Sequence, residues 1–397
     1  MKLLVISQYF SPDITAAAYR ISETVDGLNK NGIDVFVITS TPHKSNADSN
    51  FKNDEEHIIR IKIPFFRKQT KITYLYQYIS FTLKSIIKSL NLRKHFKYDI
   101  VLVSSPPITI AFVAFIVKFI TKKPLIFDIR DIWPDSAVAI KKLSKKGLVY
   151  NFFKKVEKYI YTKSDYLTCV AEPMRDYIRN LSQKDNIKVI YNGVSDELLN
   201  LNTNKSKFDY EKDFFYTYAG NIGHAQDIIT VVKAFSKFLS ENKNKNCYLN
   251  LIGNGPEKEN AMNFSRNLFG NERIIFKEEV QKKELRKELL FSHVLIIPLI
   301  KSDIFKLTIP SKVFDYMTFQ IPIISTISGE GRQILSKSKS NINTKLTVDD
   351  LTESFSDMYM NYGKYNTYST QNKLIVQKYT RTNSNIEFIK ILNEINK

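Results

Sequence analysis

The chain alternates short apolar strands with segments of helical period, breaks off in a polar stretch, and then begins the same alternation again. No other feature narrows the fold as far. Strand-like runs fall at residues 2–6, 34–39, 58–63, 100–103, 125–128, 166–170 and 188–190, with helical patterns such as 16–30 and 148–162 between them. That order implies a parallel sheet covered by helices. Asn192-Gly193 ends the series, and residues 195–212 are polar without apolar period, as in a linker. Strands return at 214–219, 247–252, 273–276, 294–297 and 322–325, with helices at 227–241, 256–268, 282–291 and 311–318. The expected fold class is α/β, with two Rossmann-like doubly wound domains facing across a cleft. The first spans 1–198 and the second 212–375. The sequence leaves open whether a last helix at 381–395 returns to the first domain. Ligands of such sheets sit at the carboxyl ends of the strands.

Residues 301–326 carry the clearest candidate chemistry. An apolar strand leads into a polar loop, a Pro310-Ser311-Lys312 turn, a short helix bearing Asp315, and a second apolar strand. A helix N-terminus in that position suits a phosphorylated ligand. Lys312 lies in the first helical turn, where a cation opposes the helix dipole unless an anion is bound. Leu307 and Thr308 lie in the loop before it. Asp315 is placed to accept hydrogen bonds from paired ribose hydroxyls. An ordinary crossover with a solvated lysine fits the same residues.

Two glycine turns follow strands of the second domain, one with Gly220, Asn221 and Gly223, the other with Gly253 and Gly255 before Pro256. They permit close approach of a ligand, but tight strand-to-helix turns use glycine for steric reasons as well. In the first domain, residues 127–135 hold Asp128, Arg130, Asp131, Asp135 and the single tryptophan, Trp133. Arg130 is suited to an anion and Asp131 to a hydroxyl. Alternatively an Asp–Arg pair ties down the loop and Trp133 is core. Near the N-terminus, Tyr9, Asp13, Thr15, Ala16 and Ala17 form a polar loop entering a helix. Small residues there admit a ligand; capping by Asp13 or Thr15 is the plainer reading. The five histidines, at 43, 57, 95, 224 and 293, lack metal-ligand spacing. No Gly-x-Ser-x-Gly elbow and no Walker A loop occur.

The net charge is +19, and residues 57–98 hold ten Lys or Arg and no acid. Such a field attracts nucleic acid or an anionic membrane surface. No nucleic-acid motif appears. Tyr74, Tyr76, Tyr78 and Phe81, flanked by Lys84 and Lys88, suit a helix lying in a membrane interface, and equally an outer-layer helix packed on the sheet. No run reaches the ~18 apolar residues that span a bilayer; the nearest, 108–119, reads as a buried helix. The opening apolar run is too short for a signal peptide. Cys169 and Cys247 lie far apart in apolar runs, as buried reduced thiols do, and point to a reducing compartment.

Six segments, in register, resemble family 4 glycosyltransferases of the two-Rossmann GT-B fold. They are YFSPDITAAAYRISE, FDIRDIWPDSAV, IYNGV, YAGNIGHAQDIITVVKAF, LIGNGPEK and IPSKVFDYMTFQIPII. The second is similar to a segment of a bacterial subgroup that includes L-fucosamine-type transferases of O-antigen and capsule assembly. The resemblance implies a UDP-sugar donor, no metal and no cofactor, retention of anomeric configuration, and a lipid-linked (polyprenyl diphosphate) saccharide acceptor. It implies an enzyme on the cytoplasmic side, peripheral to the plasma membrane. Donor contacts then fall to Gly220, Asn221, Gly223, Gly253, Gly255, Leu307, Thr308, Ser311, Lys312 and Asp315. Acceptor contacts fall to Tyr9, Asp13, Thr15, Ala16 and Ala17, with Lys312, Asp131 and Arg130 catalytic.

The chain departs from that family in several places. The family's Glu-x7-Glu pair falls at Leu307 and Asp315, so backbone N–H groups near 306–308 are expected to replace the first acid. The usual diphosphate cations fall at Asn221 and the 225–227 turn, which leaves Lys312 as the main one. Arg130 stands where the family has a histidine, and Ala16-Ala17 replace a Gly-Gly pair. Two rivals remain: a UDP-sugar 2-epimerase of the same plan, and a non-enzymatic polyanion-binding protein.

Overall fold

The computed structural model describes residues 1–13, 15–42, 57–64, 71–201, 213–242 and 246–396. The chain divides into two compact units, Met1–Ser195 with Arg381–Lys397, and Asp196–Thr380. From residue 202 on, the expected linker lies outside the described residues.

The first unit holds β1 (Lys2–Ser7), β2 (Asp34–Ser40), β3 (Ile58–Ile61), β4 (Ile100–Ser104), β5 (Leu125–Asp128), β6 (Tyr166–Cys169) and β7 (Ile187–Val189). They form one sheet in the order β3-β2-β1-β4-β5-β6-β7, and neighbouring strands run parallel. β4 and β5 are buried along their whole length, which is why their sequences are apolar runs up to the last residue rather than alternating ones. Leu3, Val5, Leu102 and Ile126 meet Ile21, Val25 and Leu28 of the helix Ala16–Lys30 in one core. Phe388, Ile391 and Leu392 of the last helix, Arg381–Ile395, join that core. The helix is held by Arg381 N–H on the Val194 carbonyl at 2.9 Å, the Ser384 hydroxyl on the Tyr191 carbonyl at 2.9 Å, and an Arg381–Glu23 ion pair.

The second unit holds β8 (Phe214–Ala219), β9 (Cys247–Ile252), β10 (Ile274–Lys277), β11 (Val294–Ile297), β12 (Ile323–Ser325) and β13 (Ile342–Asn343). Their order is β10-β9-β8-β11-β12-β13, again parallel. Its core is aromatic: Tyr216, Phe235, Phe238 and Phe355 pack in tilted and edge-on pairs, and the Tyr216 hydroxyl finds the Phe355 carbonyl at 2.7 Å.

Both sheets reverse their winding once, between β1 and β4 and between β8 and β11, so each has a switch point at its carboxyl edge. Cys169 and Cys247 are buried and unbridged. The helix expected over 108–119 runs Ile110–Thr121; its first turns are buried, but Phe119 and Ile120 are exposed.

Candidate functional site

In the second unit the loops that leave β8 and β11 are tied together at the switch point. Ile300 N–H donates to the Ala225 carbonyl at 2.8 Å. Leu299 is clamped by Thr326, whose hydroxyl accepts from its N–H at 2.8 Å and donates to its carbonyl at 3.1 Å. The loop after β11 makes a short turn, Phe305–Leu307, and enters the helix Ser311–Thr318. Tyr316 of that helix reaches the end of β8, where its hydroxyl accepts from Ala219 N–H at 2.9 Å and donates to the Ala219 carbonyl at 3.1 Å.

This clamp sets Lys312 beside Gly220. A Cβ on Gly220 would stand 2.5 Å from the Lys312 Nζ. The ammonium lies over the Tyr218 ring, 5.3 Å from its centroid. Among the described residues it has no hydrogen-bond or ion-pair partner. Burial lowers the Lys312 pKa from the ordinary lysine value; the charge of Asp315 pulls it back only in part. A half-buried cation held at a helix N-terminus, partly desolvated and without an ion pair, is stabilised by an incoming anion more than a surface lysine would be. Ser311 and Asp315 are half-buried on the same helix.

The glycines serve mainly to bring loops together. A Cβ on Gly253 would lie 2.1 Å from the Gly220 carbonyl oxygen, and one on Gly255 2.3 Å from that of Ile222. Both have φ values, +136° and +158°, that side-chain-bearing residues rarely adopt. Gly220 N–H bonds the Ile252 carbonyl at 2.8 Å and Ile222 N–H the Asn254 carbonyl at 2.9 Å. The close approach is thus of backbone to backbone. Gly223 stands against the Asn221 side chain, and Asn221 Nδ2 donates to Gln226 at 3.4 Å.

One expectation needs correction. Two of the three amides at 306–308 do not stand ready for a donor sugar: Lys306 N–H bonds the Ser302 carbonyl at 3.3 Å and Leu307 N–H that of Ile304 at 3.2 Å. The turn that shapes the loop consumes them. The Thr308 hydroxyl points to the Phe305 carbonyl at 3.5 Å.

In the first unit Ser104, Asp128 and Thr168 are register partners at the ends of β4, β5 and β6. Asp128 is wholly buried. It accepts from the Ser104 and Thr168 hydroxyls and from Arg130 Nε, each at 2.8 Å. The Arg20 guanidinium stands 3.8 Å away. Burial pushes the Asp128 carboxyl up, but Arg130 and Arg20 outweigh it and hold it at about 2. Arg20 is itself depressed to about 9 by burial and by Arg130. It also bonds Asn192 Oδ1 at 2.5 Å and the Ile190 carbonyl at 3.0 Å.

Arg130 is engaged by the fold through Nε and Nη1, while its buried Nη2 has no hydrogen-bond partner among the described residues. Its side chain is 8% exposed, and its Nη1 donates to the Ala17 carbonyl at 3.2 Å. Asp131 accepts from the Ser136 hydroxyl at 2.8 Å, and burial raises its pKa. Thr15 caps its helix, accepting from Ala18 N–H at 3.1 Å. Asp13 is buried, Tyr9 half-buried, and the Ala16 side chain lies outside the described residues. Arg130 links the Asp131 loop to Ala17. Trp133 packs edge-on against Phe153 at 4.8 Å.

Sequence reasoning missed Arg20, Tyr218 and Tyr316. Arg20 left a signal: with Thr24 it places polar side chains four residues apart on the buried face shared by Ile21 and Leu28. The tyrosines left none, since they read as core.

Residues 17–198 match the family model Glycosyltransferase Family 4, and residues 201–374 match Glycosyl transferases group 1. The chain is a GT-B glycosyltransferase. Within this transferase, Arg20, Asp128, Arg130 and Asp131 fall inside the first match and the Gly220–Lys312 site inside the second, while Tyr9 to Ala16 precede both. No curated protein sequence matches the transferase. Anabaena Alr3699/HepE, solved with UDP and glucose, is similar over 99% of this chain and 100% of its own, at 13% identity and TM-score 0.72. Sucrose-phosphate synthase from Thermosynechococcus elongatus is similar over 100% and 99%, at 11% identity and TM-score 0.73. The lipopolysaccharide outer core galactosyltransferase WaaB is similar over 99% of both chains, at 15% identity and TM-score 0.65. At such identities the likeness is one of fold.

Proposed function

We propose that this glycosyltransferase moves a sugar from a UDP-sugar to a lipid-linked saccharide in the assembly of a bacterial surface polysaccharide, as the resemblance to L-fucosamine-type transferases implies. Lys312 carries the reading. It is a half-buried cation without a hydrogen-bond or ion-pair partner among the described residues, at a helix N-terminus on the switch point of the unit matched by the group 1 family. A nucleoside diphosphate supplies the anion that this position lacks. Asp315, one turn on, accepts from the ribose hydroxyls.

As the bond from sugar to β-phosphate breaks, negative charge grows on the diphosphate, where Lys312 and the first amides of its helix stabilise it. With retention, the acceptor hydroxyl attacks from the side of the leaving group and gives its proton to the departing phosphate. Asp131 and the Tyr9–Ala17 loop position the acceptor. Arg130 is a positioning residue, because its guanidinium fixes Ala17. The enzyme works without metal at the inner face of the plasma membrane. Support comes from the Anabaena relative bound to UDP and glucose, and from a lipopolysaccharide galactosyltransferase of the same fold.

Turnover of a panel of UDP-sugars, with and without polyprenyl-diphosphate saccharides, tests this. Transfer that requires the lipid acceptor is the expected result. A 2-epimer formed without acceptor, or no turnover of any donor, would sink the proposal.

A further inference from the structure

The helix Lys71–Leu92 turns an apolar stripe outward. Ile72, Leu75, Tyr76, Ile79, Leu83 and Ile87, which recur at helical spacing along one stripe, are all exposed. Its buried face mixes Phe81 and Leu92 with Gln77, Thr82, Ser85 and Ser89. The polar ones are accommodated inward: the Gln77 amide bonds the Pro64 carbonyl at 2.9 Å, and the Thr82 and Ser89 hydroxyls bond carbonyls one turn back at 2.7 Å. A surface helix of a soluble domain ordinarily turns its apolar stripe inward. Phe81, expected among the interfacial aromatics, is wholly buried, and the Tyr74 side chain lies outside the described residues.

The stripe continues onto two neighbours. The helix Lys71–Leu92 packs against Ile110–Thr121, which packs against Leu148–Lys163. Phe112 stacks on Phe152 with ring centroids 6.4 Å apart, and Phe115 meets Tyr159 edge-on at 5.2 Å. Phe119 and Ile120 are exposed at the end of the middle helix. Leu148, 88% exposed, stands with Val149, Phe152 and Tyr159 on the third. Charge along these helices has one sign. The sole carboxylate in their sequences is Glu157, which is 0% exposed and joined to Lys154, whereas Lys84, Lys88, Lys155 and Lys158 are exposed. Lys141, Lys142, Lys145 and Lys146, just before the third helix, are exposed too.

We infer that these three helices form a docking face that inserts its apolar side chains into an anionic lipid bilayer. The inference deepens the membrane placement proposed above and rests on it. An apolar stripe rimmed by cations alone is the composition of an interfacial helix. A second copy of the chain suits it poorly: a two-fold interface sets the same patch against itself, and here that would oppose lysine to lysine. No helix of the described residues is long and apolar enough to cross a membrane. Contact therefore means lying on the bilayer. Because apolar burial is not screened by salt, part of the binding outlasts high ionic strength.

Sedimentation of the full chain with vesicles tests this, using phosphatidylglycerol–phosphatidylcholine and phosphatidylcholine alone. The wild type binds the anionic vesicles, and a fraction stays bound in high salt. Ile79→Ser with Leu83→Ser, and Leu148→Ser with Phe152→Ser, each weaken binding about tenfold or more. Lys155→Glu with Lys158→Glu weakens it less and makes the remainder salt-insensitive. In Leu148→Trp, the emission shifts to the blue on anionic vesicles only. Wild-type binding by both serine pairs, or a dimer in ultracentrifugation that the Leu148/Phe152 pair dissolves, would overturn the inference. Hydrolysis of the UDP-sugar in vesicle-free buffer is the separate readout: its absence in wild type defeats the donor reading and leaves docking untouched.

Discussion

The two sheets reverse direction in the same way and put opposite electrostatics at the ends of their strands. At the first, Asp128 receives Arg130 and stands beside Arg20, and two hydroxyls complete its shell. The carboxylate is fully engaged within the fold, and of the buried guanidinium nitrogens there only Arg130 Nη2 is left without a hydrogen-bond partner among the described residues. At the second, Lys312 stands over an aromatic ring with Asp315 one turn away and no ion pair among the described residues. Its charge is left for something else. One topology thus supports both uses, and the difference lies in whether a buried ion meets its counter-ion on the same chain. A carboxylate between two guanidiniums gives stability and position. A lone ammonium detracts from stability and recovers that loss when an anion arrives.

The largest effect expected from this contrast is on stability in the first unit. Asp128→Ala leaves Arg20 and Arg130 facing each other without a carboxylate. Breaking a buried pair in this way costs about 3–5 kcal/mol, and the unfolding midpoint in urea should fall accordingly. The wild-type carboxylate is held at about 2, below its unfolded value. Its contribution is therefore present above the ordinary aspartate pKa and fades as pH drops towards 2. Wild-type unfolding behaviour in Asp128→Ala would mean that the cluster carries no load. Next comes Lys312→Ala, which should keep or raise the midpoint and lose ~10²–10³ in turnover, as removal of one preorganised donor does. A folded variant with near-normal kcat would remove Lys312 from the mechanism.

What the sequence revealed follows the same division. Strands such as residues 100–103 and 294–297 declare themselves because both faces are buried and every residue is apolar. β13, only Ile342 and Asn343, has too little pattern to read. Lys312 and Asp315 were visible because their chemistry is local, a strand end, a proline and a helix start within a few residues. Arg130 was ambiguous because its role depends on Asp128, Ala17 and Arg20, which only tertiary structure assembles. The long helix Lys71–Leu92 carried a clear helical period, but period does not tell which face points inward, and Phe81 went the other way from Tyr76.

Smaller effects should fall on nucleotide affinity. Asp315→Ala is expected to weaken UDP binding in calorimetry, whereas Asp315→Glu restores or improves it, since the family's longer acid reaches the same hydroxyls. Equal affinity in all three proteins would place the ribose elsewhere. UDP affinity should also fall on the alkaline side earlier than an ordinary lysine would dictate, because the ammonium that binds the anion has a lowered pKa. Lys312→Ala should flatten that arm of the profile; an identical profile in the variant would assign the titration to another group.

The smallest change is expected from chelation, and it bears on the same comparison. If the second switch point neutralises the leaving diphosphate with Lys312 and helix amides, a divalent cation has no separate task there. The first switch point offers carboxylates, but each is engaged: Asp128 by two arginines, Asp131 by Ser136, and Asp135 by Tyr150 at 2.8 Å and Lys154 at 2.6 Å. Among the described residues, no three His, Cys, Asp or Glu side chains converge as a metal site would require. Transfer in excess EDTA should therefore proceed at the rate of the untreated enzyme. A strict requirement for Mg²⁺ or Mn²⁺ would reverse the contrast: it would mean that Asp128, Asp131 or Asp135 leaves its present partner during the reaction, and that Lys312 shares the diphosphate with a metal.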